Sequence, residues 1–126
     1  MGVGHERGRE GEELAARFFL ARGWRILDRN WRSGHAELDL VIHRDGVVSF
    51  VEVKTRATPG CGDPLEAVTW KKRREIARVA GAWLATRGRT LEGPFGVRFD
   101  AVAVDVTPGR TPAVRHVADA WRIGDP

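Results

Sequence analysis

The sequence predicts an α/β fold: a mixed β-sheet flanked by helices, with the elements in the order α-β-β-β-α-β. Two segments carry apolar residues at helical spacing, and two β-rich runs are joined by Asp45-Gly46, a dipeptide suited to a tight type I′ turn. Another run, after the second helix, has apolar residues on both faces, as a buried strand does. A chain of 126 residues is too short for two stable cores, so we expect one domain over residues 1–126.

The first two predicted elements are a helix and a strand. Residues 9–22 are predicted to be helical because Leu14, Phe18 and Ala21 share one helical face and a glycine follows the segment. Residues 24–31 mix Trp, Ile and Leu with polar residues, a composition that favours a strand.

A β-hairpin is predicted next, with strands over residues 36–44 and 47–55. If Asp45-Gly46 is a two-residue loop, Arg44 faces Val47, and the register of every other facing pair follows by counting outward. The hairpin is the clearest local signal in the sequence.

The second half of the chain is predicted to contain a loop, a helix and a strand. Residues 57–68 hold two prolines and two glycines, which indicates a loop ending in a short helical turn. Thr69 can cap a helix that runs to Arg87, and residues 97–106 follow as the buried strand. Residues 113–123 fit either a short edge strand or a helix.

Composition narrows the class of protein. The chain has 21 Lys and Arg against 17 Asp and Glu, a formal charge of +4. Its apolar runs are far shorter than the ~20 residues of a membrane helix, and the start of the chain lacks a secretory signal. The lone Cys61 excludes an internal disulfide and a cysteine-rich zinc site. We expect a soluble cytoplasmic protein with no membrane partner, with residues 1–8 and 119–126 as flexible termini.

Acidic side chains occupy facing positions on the predicted hairpin. Asp39 lies opposite Glu52 and Glu37 opposite Lys54, so strand alternation puts all four on one face. The other face is filled by Leu38, Leu40, Val51 and Val53. Directly opposed like charges destabilise a sheet, and a hard cation such as Mg²⁺ suits two carboxylates at this spacing.

Lys54 lies two residues beyond Glu52 on the same face, where it can reach a bound water or a phosphate oxygen. The alternative is a half-solvated sheet face on which Glu37 and Lys54 form an ordinary surface ion pair.

Charge is unevenly distributed along the chain. Residues 69–89 hold seven basic side chains against one acid, a net charge of +6, whereas residues 36–66 have a net charge of −3. An acidic pocket beside a basic helix suits a metal-dependent enzyme that acts on a polyanion. The alternative is a helix whose basic face is simply solvated.

The sequence around four of the five tryptophans indicates whether each one is buried or exposed. Trp83 continues the apolar stripe of the second helix and Trp24 follows the first helix, so we expect both in the core. Trp31 and Trp70 stand beside basic residues, and we expect them to pack rather than to contact nucleic acid.

Several motifs resemble known families. Asp39 followed by Glu52-Val53-Lys54 matches the D…ExK core of the PD-(D/E)xK nucleases, which include restriction endonucleases and archaeal Holliday-junction resolvases. Over most of the chain the sequence resembles the YraN-like uncharacterised bacterial family. That resemblance rests on Gly11-Glu12, Ala15, Arg29-Asn30-Trp31-Arg32, Glu37-Leu38-Asp39-Leu40-Val41, Phe50 to Arg56, Thr69 with Lys72, and Arg98-Phe99-Asp100.

The resemblance implies a restriction-endonuclease-like fold with a metal site. Asp39 and Glu52, helped by the main-chain carbonyl of Val53, would hold Mg²⁺, for which Mn²⁺ can substitute. Lys54 would position the attacking water or stabilise charge on the phosphate. The remaining acids implied at the site are Glu12, on the first helix, and Glu37. One departure is that Gly34-His35-Ala36 precedes Glu37 where relatives more often have glycine directly before the acid.

These observations give two functional hypotheses. The first is a metal-dependent endonuclease that hydrolyses phosphodiester bonds in DNA, with branched DNA suggested by the likeness to resolvases. The second is a nucleic-acid-binding module on the same scaffold, with little or no catalysis. The predicted nucleic-acid contacts are Arg56, Lys71, Lys72, Arg73, Arg74 and Arg78. The resolvase likeness also suggests a homodimer, because two strands must be cut.

Overall fold

The computed structural model describes residues 3–57 and 68–123. Its helices are α1 (Val3–Leu20) and α2 (Trp70–Ala85), followed by a short 3₁₀ helix (Arg87–Thr90). Its strands are β1 (Arg25–Ser33), β2 (Ala36–Arg44), β3 (Val47–Arg56), β4 (Gly96–Asp105) and β5 (Ala113–Trp121). The predicted α/β class and the order α-β-β-β-α-β are confirmed, and the tail that fitted either a strand or a helix forms a fifth strand.

Three sequence predictions concern the ends and the central loop. Most of the predicted loop over 57–68, with Cys61, lies outside the described residues. Of the two end segments expected to be flexible, α1 includes residues 3–8 and β5 includes residues 119–121. Within the described part of the chain, neither helix has the length and apolar character needed to cross a membrane.

The five strands form one mixed sheet in the order β1-β2-β3-β4-β5. The β3–β4 pair is parallel, and the other three pairs are antiparallel. Parallel neighbours need a crossover connection, and α2 supplies it between β3 and β4. Helix α2 begins at the predicted cap, where the Thr69 side chain accepts a hydrogen bond from the backbone N–H of Lys72 at 3.2 Å.

Each face of the sheet is covered by one helix, and the apolar residues divide accordingly. The α2-side core includes Leu38, Val41, Phe50, Ile76, Val79, Trp83, Phe99 and Trp121. The α1-side core includes Ala15, Phe19, Trp24, Leu40, Ile42, Val51, Val102 and Val104.

The tryptophan predictions are mostly confirmed. Trp24 and Trp83 are buried, and Trp31 packs against the α2-side core. The prediction for Trp70 is wrong, because its side chain is 54% exposed at the start of α2. Trp70 is the first helical residue, and it points away from the apolar stripe that holds α2 on the sheet.

The predicted hairpin register is confirmed. Arg44 pairs with Val47, and the ladder continues through His43–Val48 to Leu40–Val51. Asp45 and Gly46 have φ angles of 47° and 75°, the positive values that a type I′ turn requires at both central positions.

The predicted alternation of side chains in β2 is wrong at one point. Leu38 packs in the α2-side core with Val41, whereas Leu40 packs in the α1-side core, so the pleat breaks at Asp39. The neighbouring strand shows the cause: Arg29 pairs with Leu40, Trp31 with Leu38, and Asn30 between them has a φ of 48°. Because of this left-handed residue, the side chains that follow it in β1, and the side chains that face them in β2, lie on the opposite face of the sheet from the one that simple alternation predicts.

Helix α1 lies unusually close to β3 at Gly11. A Cβ added to Gly11 would stand 1.8 Å from the Oγ1 of Thr55 and 2.9 Å from its Cβ, so only glycine fits this contact. The next residue, Glu12, is thereby held over the open end of the β2–β3 ladder. The small residues Ala15 and Ala16 continue the close packing along α1 and are fully buried.

Gly11→Ala is therefore expected to lower the free energy of unfolding by about 1–3 kcal/mol, because the helix or Thr55 must move. Urea denaturation measures the change. Gly8→Ala is the matched control in the same helix: no atom lies within 4 Å of an added Cβ there, so it should stabilise the protein by up to about 1 kcal/mol. Equal stability of the two variants would contradict the close contact.

A buried carboxylate ties β4 to β5. Asp100 is 0% exposed, and its two oxygens accept hydrogen bonds from the Arg98 guanidinium, both at 2.8 Å. His116 lies 2.8 Å from Oδ2 through Nε2, and the backbone N–H of Asp119 donates to Oδ1 at 3.0 Å. Because an ionised carboxylate only accepts, His116 must donate through Nε2.

The partners of Asp100 fix its charge. Burial alone would raise the pKa of Asp100, but the hydrogen bonds from His116, Arg98 and the Asp119 N–H hold that pKa at about 2. Asp100 in turn orients a basic side chain, through its bidentate pair with Arg98.

Candidate metal centre

The acidic site forms where the two hairpin strands separate. The β2–β3 ladder ends at Leu40–Val51, one step short of the predicted Asp39–Glu52 pair. Beyond that point a side chain takes the place of the backbone hydrogen bonds between the strands. The Oδ2 of Asp39 accepts a hydrogen bond from the backbone N–H of Val53 at 2.8 Å. Asp39 is thus turned towards β3 and lies beside Glu52.

Three of the predicted acids form a compact cluster. One carboxylate oxygen from each of Glu12, Glu37 and Asp39 lies within 4.8 Å of the others. Asn30 Nδ2 donates to Glu12 Oε1 at 2.9 Å, which fixes the acid that α1 contributes. The cluster thus draws its side chains from α1 and from β2.

The predicted pairing of Glu37 with Lys54 is wrong. Arg32 Nε donates to Glu37 Oε2 at 3.1 Å, so the partner of Glu37 comes from β1. The pleat break at Asp39 explains the difference, because residues before the break no longer follow the alternation set by the turn. Lys54 lies further along β3, beside Ala103 of β4, and is exposed.

Glu52 completes the acidic group from the α2 side. Its Oε1 lies 3.6 Å from Lys72 Nζ, on the first turn of α2, and its side chain is 13% exposed. The site therefore lies between the first turn of α2 and the N-terminal half of α1.

Two of the carboxyl groups, those of Asp39 and Glu52, have raised pKa values. Burial, and then the charge of Glu52, raise the pKa of Asp39 well above its ordinary value. Burial also raises the pKa of Glu52, although Lys72 opposes the shift. Glu12 raises the pKa of both residues. Carboxylates gathered in this way at low exposure favour a cation among them.

The donor atoms fit a hard divalent ion. Three carboxylates from α1 and β2 come together, and Glu52 of β3 lies beside one of them, Asp39. Oxygen ligands of this kind suit Mg²⁺ and Mn²⁺, whereas zinc and copper sites are usually built with nitrogen or sulfur. Asp39 and Glu52 would hold such an ion, with Glu12 and Glu37 beside it. The backbone of Val53 is joined to Asp39 through its N–H, and the ligand role of its carbonyl stays a prediction.

The six predicted nucleic-acid contacts fall into three groups. Lys72 belongs to the acidic site, through Glu52. Lys71, Arg74 and Arg78 line a surface hollow of about 510 Å³. Arg73 lies over the Trp121 ring, and Arg56 is exposed at the end of β3.

Sequence reasoning missed two residues that shape the site. Lys72 was assigned to nucleic acid, but its ammonium group contacts Glu52. Asn30 was noted only in a motif, although it both orients Glu12 and breaks the pleat. The signal for Asn30 was available, because asparagine inside an apparent strand is the residue most tolerant of a left-handed backbone after glycine.

Removing one carboxylate should stabilise the metal-free protein. Asp39→Asn keeps an oxygen that accepts the Val53 N–H and deletes the charge, so in EDTA at pH 8 we expect the free energy of unfolding to rise by about 1–2 kcal/mol. Because folding raises the pKa of Asp39, the wild type loses stability as pH rises from about 4 towards the folded pKa.

Urea unfolding at pH 5 and pH 8 should show a smaller decrease for Asp39→Asn than for the wild type. The exposed Asp45 at the hairpin tip provides the control, since Asp45→Asn removes a carboxylate that lies outside the acidic cluster. A steeper decrease in the Asp39 variant would contradict the clustering of charge.

Comparisons with known proteins place the chain in a family. The model of the uncharacterised protein family UPF0102 matches residues 11–104. A UPF0102 protein from Nocardia farcinica is 48% identical over 111 residues, which cover 87% of this chain and 84% of the relative. A UPF0102 protein from Rhodococcus jostii is 46% identical over 114 residues, covering 90% and 94% of the two chains.

A more distant relative from Myxococcus xanthus is 41% identical over 122 residues, covering 94% of this chain and 91% of the relative. The match to the family model includes both hairpin strands, the four acids and α2. The chain belongs to the UPF0102 family of uncharacterised proteins, which confirms the predicted membership of an uncharacterised bacterial family.

Proposed function

We propose that this protein is a metal-dependent endonuclease that hydrolyses phosphodiester bonds in DNA. The observation that carries the proposal is the cluster of Glu12, Glu37 and Asp39 carboxylates, with Glu52 beside Asp39 and Lys72 beside Glu52. The residues match the D…ExK pattern that the sequence shares with PD-(D/E)xK nucleases.

Hydrolysis would depend on the metal ligands, on the contacts that hold them in place, and on Lys54. Asp39 and Glu52 would hold a divalent ion, which would supply a more acidic water and stabilise negative charge on the phosphate oxygens. Asp39 is kept in place by the Val53 N–H, and Glu12 by Asn30. Lys54, exposed on β3, is free to reach a phosphate oxygen that lies over the site, and its charge helps most where negative charge grows.

The basic residues of α2 provide the attraction for the substrate. Lys71, Arg74 and Arg78, together with Glu75, line one hollow on α2, the helix whose Lys72 contacts Glu52, so the net positive charge there would attract a polyanion to this side of the protein. By likeness to resolvases we include branched DNA among the substrates. A homodimer would present two sites to one junction, and DNA as substrate implies a cytoplasmic protein.

The second candidate is a nucleic-acid-binding module without catalysis. It is favoured by the position of Lys72, whose Nζ lies 3.6 Å from Glu52 Oε1, so the protein itself supplies a charge partner for this acid. This candidate needs the basic residues of α2 and does not need the acids.

A cleavage assay separates the candidates. Linear, flapped and four-way-junction DNA is incubated with the protein and Mg²⁺ or Mn²⁺, and the products are compared with those of Asp39→Ala, Glu52→Ala and Lys54→Ala. The endonuclease predicts cleavage that needs the metal and is lost in all three variants. Binding of DNA without cleavage would favour the module, and equal cleavage by wild type and variants would reject this site.

A further inference from the structure

A groove on α2, away from the acidic site, combines aromatic and basic side chains. Trp70, Arg73 and Arg74 line it from the helix, and Trp121, Arg122 and Ile123 line it from the end of β5. Its described lining contains three arginines and no acid. We refer to it as the Trp70 groove.

The apolar part of the Trp70 groove is open to solvent. Trp70 is 54% exposed and Ile123 is 72% exposed, and they are two of the four large exposed apolar residues in the described part of the chain. Burying an indole ring is worth more than almost any other apolar contact, so a tryptophan left open on a helix needs an explanation.

The groove continues into a larger cavity. Trp121, Arg122 and Ile123 also line a cavity of about 430 Å³, together with Arg98 and Phe99. The Phe99 and Trp121 rings are stacked, with centroids 5.5 Å apart. A planar group that lies on Trp70 thus has a second cavity beside it, which Arg98, Arg122 and the acid Asp119 also line.

One basic side chain of the groove, Arg74, favours an anionic partner. Arg74 is exposed and has no ion pair within the described residues. Two of the arginines have partners, since Arg122 pairs with Asp119 at 2.9 Å and Arg73 Nε donates to the Val68 carbonyl. The unpaired charge therefore lies one helical turn from Trp70, where a phosphate attached to a stacked base would fall.

The groove lies across the first turn of α2 from the acidic site and is not part of it. Lys72, which contacts Glu52, is two residues from Trp70 and thus on the opposite side of α2. A helix is about 10–12 Å wide with its side chains, so one nucleic-acid strand that crosses the first turn of α2 can reach both places.

From these observations we infer that the Trp70 groove binds unpaired nucleotides of a nucleic-acid strand, with a base stacked on Trp70 and a phosphate at Arg74. The inference rests on the proposed function and narrows its substrates to DNA that contains an unpaired stretch next to the cut. Duplex bases are already stacked on each other and cannot use the groove.

Binding in EDTA tests the groove separately from catalysis. Fluorescence anisotropy is measured for a labelled ten-nucleotide oligo-dT and for a duplex of the same length, with wild type, Trp70→Ala and Trp70→Phe. We expect Trp70→Ala to weaken oligo-dT binding by about 10-fold or more and duplex binding by less than about 2-fold, with Trp70→Phe in between. Leu20→Ala removes a comparably exposed apolar residue from α1 and should change neither affinity.

Salt dependence tests the phosphate contact. Arg74→Ala should lower the slope of log K against log salt for oligo-dT by about 0.7, whereas Trp70→Ala should leave that slope unchanged. The inference is overturned if Trp70→Ala binds oligo-dT as the wild type does. It is also overturned if Trp70→Ala converts a wild-type dimer to a monomer in sedimentation velocity, because the groove is then a subunit interface.

The outcomes separate this inference from the proposed function. Loss of oligo-dT binding in Trp70→Ala, with no cleavage by any protein, supports the groove and rejects the endonuclease. Acid-dependent cleavage that is equally fast on flapped DNA in Trp70→Ala supports the endonuclease and rejects the groove.

Discussion

Asp39→Asn and Glu52→Gln are each expected to reduce Mg²⁺-dependent cleavage of DNA by about 1000-fold or more. A loss of this size corresponds to about 4 kcal/mol of transition-state stabilisation, which a bound metal ion can supply. The amides keep the shape of the side chains, and the Asp39→Asn variant still offers an oxygen to the Val53 N–H, so the hairpin is preserved. The measurement is a single-turnover cleavage rate on the best substrate of the DNA panel.

Asp45→Asn is the matched control for these variants. Asp45 belongs to the same hairpin and is exposed at its tip, with a φ of 47° that asparagine tolerates. We expect its cleavage rate to stay within about 2-fold of the wild type, because the change in charge is far from the site. A rate for Asp39→Asn that matches Asp45→Asn would exclude a metal ion at the acidic cluster.

Asp100→Ala is expected to give the largest loss of stability, about 3–5 kcal/mol, which corresponds to a Tm lower by about 10–20 °C for a chain of this length. The variant leaves Arg98, a half-buried His116 and the Asp119 N–H without their common acceptor. Differential scanning calorimetry gives the Tm. Asp119→Asn, at an exposed position whose φ of 51° suits asparagine, should cost less than about 1 kcal/mol.

The same carboxylate should control acid unfolding. Folding lowers the pKa of Asp100 to about 2, so its contribution is fully present above the unfolded pKa near 4 and is lost as pH falls from about 4 to 2. The wild type should lose about 2–3 kcal/mol through this residue over that interval. Asp100→Asn should lack that part of the acid transition. An unchanged transition in Asp100→Asn would show that the charge of Asp100 contributes little.

Local chemistry made much of the fold predictable. Asp45-Gly46 set the turn, and the turn set the register as far as Leu40–Val51. The predicted alternation of side chains failed in β2 before Leu40, because the register of the β2–β3 hairpin carries no information about a residue in β1. Asn30 adopts a left-handed backbone and reverses the sidedness of its neighbours, and that choice depends on contacts with α1.

The candidate site was predictable in part for the same reason. Counting residues outward from the turn predicted that Asp39 lies close to Glu52. The two residues directly follow the last paired positions of the hairpin, Leu40 and Val51, so this prediction did not need the ladder to continue. Glu12 came only from resemblance, because its place depends on how closely α1 can approach Thr55 at Gly11. Lys72 could not be placed, because the rotation of α2 about its axis is decided by the packing of Ile76, Val79 and Trp83, further along the helix.

The hydrogen bond from the Val53 N–H to Asp39 has one further consequence for the site. The Asp39 side chain itself holds β2 and β3 apart at this point, so the carboxylate oxygens are already separated before any ion binds. Such preorganisation spares an entering ion the cost of parting two strands. The far-ultraviolet circular dichroism spectrum of the protein should therefore be the same with and without Mg²⁺.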